Sequence, residues 1–159
     1  LTTDVLYRAA AKHNAVDVLE YAHKAGCPIV EEDGDAAHLP YCTCNPYCEG
    51  VIGIAATHGH DAFIAAAVEL GFRWGSHPMY GAALNGNLGT LQLMHSMGCP
   101  INSFVAFAAA NAAGVRADQR QKRAVLQWLA TVGAPMQKAC MGTAVCCYDT
   151  TADGFDATI

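Results

Sequence analysis

AALNGNLGTLQLMHSMGCPI, residues 82–101, is the stretch whose reading decides the fold. Ala82 and Ala83 suit a short helix that packs close to its neighbours, and the Asn85-Gly86-Asn87 step is turn chemistry. Leu88, Leu91, Leu93, Met94 and Met97 then recur at helical spacing. Gly98 supplies a left-handed stop, and Pro100 forbids continuation. The stretch therefore predicts a helix, a turn, a second helix and a stop.

Set against the rest of the chain, the same pattern recurs. AAKHNAVDVLEYAHKAGCPI begins at Ala10, AATHGHDAFIAAAVELGFRW at Ala55, and a fourth copy is split between AAANAAG from Ala108 and AVLQWLATVGAPM from Ala124. In the first three copies the leading alanine stands 16 residues before the closing Gly26, Gly71 or Gly98. Ala55, Ala82 and Ala109 are spaced by 27, whereas Ala10 to Ala55 spans 45, so an insertion of 18 residues separates the first two units. One helix pair cannot bury its apolar face alone, so the pairs must stack on one another. This predicts an all-α protein with helix pairs at about 4–26, 50–71, 77–98 and 103–133, essentially no sheet, and insertions at 31–49 and 114–121. Residues 1–147 form the repeat domain in this reading, with QKACMGTAVCCY read as one more inner helix that caps it, and 148–159 form a tail.

Units of helix, turn, helix and a Gly-Cys-Pro or Gly-Ala-Pro ending resemble ankyrin repeats of a short, divergent kind, over about residues 5–136. The usual period of about 33 residues would be trimmed to 27 by loss of most of the hairpin finger. No TPLH tetrapeptide opens the first helix of any unit. The resemblance implies an α-solenoid of stacked helix pairs that binds other proteins along a concave face of inner helices and loop tips.

Composition agrees with tight helix packing: 30 of the 159 residues are alanine, and charged residues make up only 14%. A formal net charge of -5 offers no broad basic face, which argues against nucleic acid as a partner. No apolar run reaches the roughly 18–20 residues of a membrane-spanning helix, so a soluble chain is expected.

Chemistry, if there is any, concentrates in the long insertion. Cys42, Cys44 and Cys48 fall within seven residues, with His38 before them and His58 and His60 after. Such a loop can supply three zinc ligands with a fourth from His38, His58 or Cys27, it can form a disulfide, or its thiols can stay free. A metal-binding or redox-responsive protein acting through this loop is the alternative reading of function. Cys27 and Cys99 hold the same repeat position and read as small structural residues, while Cys140, Cys146 and Cys147 fall on the cap segment. His23 and His95 precede the stop by three residues, where an imidazole favours the negative end of a helix, and His13, His58 and His60 belong to the inter-helix turns. No Ser-His-Asp arrangement, phosphate loop or HExxH motif stands out. The reading assigns no catalytic residue, no cofactor, no metal and no small-molecule substrate.

The expected function is therefore a protein-protein interaction module, a subunit or accessory chain of a larger assembly. Trp74, Tyr80, Phe104 and Phe107 lie in or just before inner-helix segments and are candidate partner contacts. The outer helices add a second candidate. Where the sister units carry Glu20, Gln92 and Gln127, the second has Ala65, and where two carry His23 and His95 it has Val68. Phe63, Ala65 and Val68 are expected to give that helix an apolar side, covered either by residues 31–49 or by another chain.

Overall fold

The computed structural model of this protein describes residues 3–29, 50–75, 77–111 and 118–134, and every regular element among them is an α-helix. In chain order these are α1 Thr3–Lys12, α2 Val16–Lys24, α3 Val51–His58, α4 Asp61–Glu69, α5 Tyr80–Leu84, α6 Leu88–Ser96, α7 Ser103–Asn111 and α8 Gln119–Thr131. They pair as the sequence predicts, α1 with α2, α3 with α4, α5 with α6 and α7 with α8. Two layers result, because α1, α3, α5 and α7 contact one another in succession and so do α2, α4, α6 and α8. None of these helices is long and apolar enough to cross a membrane.

The stops recur because one local geometry recurs. At the end of α6 the Cys99 N–H bonds to the Met94 carbonyl and the Gly98 N–H to the His95 carbonyl, each at 3.0 Å. That pair of bonds is a Schellman motif, and it needs a residue with positive φ. Gly26, Gly71, Gly98 and Gly133 supply it with φ of 78°, 92°, 85° and 66°. The turns inside the pairs use the same device at Gly59 and Gly86, with Asn14 (φ 55°) in the first pair. Asparagine is among the few other residues that tolerate this region.

The first layer is built from small residues. Ala10, Ala11, Ala55, Ala56, Ala82, Ala83, Ala108 and Ala109 are all buried, so the short helices approach closely. Larger side chains fill the space between layers: Tyr7, Leu19, Ile52, Phe63, Ile64, Met79, Leu91, Met94, Val125 and Leu129 are each at most 1% exposed. Tyr7 spans the first two units, its ring edge-on to Phe72 with centroids 5.0 Å apart, and its hydroxyl donates to the Cys27 carbonyl at 2.9 Å.

The short insertion at 114–121 differs from expectation. Its last three residues are helical, because α8 begins at Gln119, and the Asp118 N–H donates to Oε1 of Gln121 at 3.1 Å. Such reciprocal capping starts the helix about one turn early relative to α6. The loop at 31–49 with Cys42, Cys44 and Cys48, residues 114–117, the proposed cap segment and the tail lie outside the described residues.

Candidate interaction surface

Side chains from one turn hold the preceding one. The carbonyls at a helix end have no partner within the helix, and the second and third units offer side-chain donors to the turn before them. Asn87 Nδ2 donates to the Ala56 and Thr57 carbonyls at 3.3 Å each, and Asn85 Nδ2 donates to Thr57 at 2.9 Å. His60 stands where Asn87 does, and its Nε2 lies 3.2 Å from the Lys12 carbonyl. Its ring stacks on His58 with centroids 5.5 Å apart. His60 thus acts in packing between units, as its place in the repeat implies.

Two further contacts orient the outer helices. Thr90 Oγ1 donates to Oδ1 of Asp61 at 2.6 Å, and His95 meets Trp128 edge-on at 5.8 Å. Positions equivalent to Thr90 and Trp128 therefore face the preceding unit, and positions equivalent to Asp61 and His95 face the following one. This assigns Val68, the counterpart of His95, to the side of α4 turned toward α6.

The expected apolar face of α4 is corrected at Phe63. Phe63 is 0% exposed and belongs to the core, where it cannot meet a partner. Val68 is half-buried and packs against the same core. Ala65 is half-buried.

The inner-layer candidates fare differently. Tyr80 opens α5 and Phe107 lies on α7, both half-buried, and the two occupy equivalent positions. The same column continues through Gly53 on α3 to Arg8 on α1. Arg8 Nε is held by both carboxylate oxygens of Asp4 at 2.9 Å. Trp74 lies in the segment between α4 and α5, half-buried against the core. The Phe104 side chain lies outside the described residues.

Sequence reasoning missed the most exposed apolar residues of the described chain. Tyr21 is 75% exposed, Val5 47%, Leu6 38% and Val18 36%, all on α1 and α2. The signal was available in the register, since Val18 stands in the column of Phe63, Thr90 and Val125, and Tyr21 in that of Ala66, Leu93 and Trp128.

The two described cysteines are free, and Cys99 is buried. Burial pushes its thiol up from the usual 9.0 to about 12, so it stays protonated and unreactive at neutral pH. Burial also raises the Tyr7 hydroxyl above its usual 10.0, with Cys27 adding to the shift. Among the described residues no group of three or more His, Cys, Asp or Glu side chains is placed to hold a metal ion. No protein-family model, no curated protein and no solved structure matches this chain.

Proposed function

We propose that the chain is an ankyrin-like α-solenoid serving as a protein-protein interaction module, a subunit or accessory chain of a larger assembly without catalytic activity of its own. The supporting observation is the column Arg8, Gly53, Tyr80 and Phe107, which runs across four successive helices of the inner layer. Arginine and tyrosine are among the side chains in which interface energy concentrates, and aromatics are enriched there generally. Trp74 extends the same aromatic set. Function on such a scaffold resides in displayed side chains rather than in the fold itself.

Photo-crosslinking tests this reading. A benzophenone amino acid placed at Tyr80 or Phe107, with control placements at the exposed Gln92 and Gln127 of the outer layer, is irradiated in native extract. The expected result is one shared adduct from positions 80 and 107 and none from 92 and 127. Equal labelling from all four positions, or none from any, removes the inner column as the binding surface.

A further inference from the structure

We propose that the outward face of the α1–α2 pair is an interface between two copies of this chain, packed α2 against α2 about a two-fold axis. The inference concerns residues other than the inner column and stands whether or not that column binds a partner.

The face is an inter-unit surface with no preceding unit among the described residues. Leu6 is equivalent to Val51, Pro78 and Val105, Val18 to Phe63, Thr90 and Val125, and Tyr21 to Ala66, Leu93 and Trp128. Every one of those counterparts is buried or half-buried, whereas Leu6, Val18 and Tyr21 are exposed. The Thr90–Asp61 and His95–Trp128 contacts show that two of these columns meet the preceding helix pair. The first pair retains the apolar chemistry of that contact with no described residue covering it.

The same register indicates which occupant fits. Head-to-tail stacking on α8 of another copy would set exposed Arg123, the counterpart of Asp61, against Val18. Desolvating a guanidinium against an aliphatic side chain is unfavourable.

Head-to-head pairing avoids that contact. Asp17, Val18, Tyr21, Lys24 and Ala25 are all exposed and lie at i, i+1, i+4, i+7 and i+8 along α2, forming one stripe. It is acidic at one end, apolar in the middle and basic at the other, hence complementary to itself when reversed. Antiparallel pairing brings Asp17 of each copy toward Lys24 of the other and sets the two helix dipoles in opposition. The existing Lys24–Glu20 pair is loose, at 3.9 Å and solvent-exposed, so it yields readily.

The size of the face sets the strength. Helices of ten and nine residues are about 15 Å long. The contact therefore covers a few hundred Å² per copy, well under the roughly 800 Å² of a standard interface. A weak, concentration-dependent dimer is expected.

Sedimentation velocity on the full chain between about 10 μM and about 1 mM spans the relevant affinities. The wild-type sedimentation coefficient should rise with concentration toward that of a dimer. Tyr21→Glu should weaken association at least about ten-fold, and Asp17→Lys and Lys24→Asp should each weaken it. The double variant Asp17→Lys/Lys24→Asp should recover most of the loss, which no folding defect could produce. A chain monomeric to the highest concentration, association indifferent to Tyr21→Glu, or a double swap no better than the singles would each overturn the proposal. So would slow, concentration-independent thiol labelling of Tyr21→Cys, which would show the face covered by the chain itself.

Discussion

The same chemical change, glycine to alanine, should have opposite effects at two positions nine residues apart. At both Gly98 and Gly89 an added Cβ meets no atom within 4 Å, so steric crowding is equal and absent. What differs is the backbone. Gly98 has φ 85° at the stop after α6, whereas Gly89 lies within α6 itself. An L-residue in the left-handed region loses roughly 1–2 kcal/mol, and the reduced freedom of the unfolded chain returns about 0.4–1 kcal/mol. Gly98→Ala should therefore destabilise by about 1 kcal/mol, and Gly98→Val by more because β-branched residues fit this region worst. Gly89→Ala carries no strain and replaces the poorest common helix former with the best, which stabilises by up to about 1 kcal/mol. Gly98→Asn should fall between wild type and Gly98→Ala, as Asn14 already occupies such a turn at φ 55°. Thermal melts by circular dichroism, in which 1 kcal/mol corresponds to roughly 2–4 °C for a domain of this size, resolve the difference, and urea unfolding checks it independently. Melting shifts of the same sign for Gly98→Ala and Gly89→Ala would refute the assignment of Gly98 to a left-handed stop.

Two other outcomes follow from burial. Phe63→Ala should destabilise by about 3–5 kcal/mol in the isolated chain, read as a drop in the urea midpoint; a variant as stable as wild type would return Phe63 to the surface. Cys99 and Tyr7 should make the protein sensitive to alkali. Their folded-state pKa values are raised, so the unfolded state loses these protons first and stability falls as pH rises, for Cys99 from about 9.0 to about 12. Urea unfolding at pH 8 and pH 10.5 should show the decline, and Cys99→Ala should reduce it.

The helix pairs, their order and their stops were legible in the sequence because each rests on a local property. A left-handed glycine followed by a break ends a helix regardless of its surroundings, and alanine pairs announce a helix that packs closely. The 27-residue register brought Tyr80 and Phe107 into one column for the same reason. The extra turn of α8 escaped because alignment to sister units treats 114–121 as inserted loop, although Asp118 and Gln121 there are capping residues.

Which sides of the outer helices are covered was decided only by the tertiary structure. Periodicity marks an apolar stripe but not the direction in which the pair is rotated against its neighbours, and in a stack each outer helix has two covered flanks besides its core side. Val68 therefore read as uncovered beside its polar sisters, although it packs against the core, in the column whose His95 meets Trp128 of the next pair. Phe63 shared that fate and is core. Tyr21 and Val18 sit in columns that are covered elsewhere in the chain and are exposed here for a purely positional reason, since the first pair has no described predecessor to bury them.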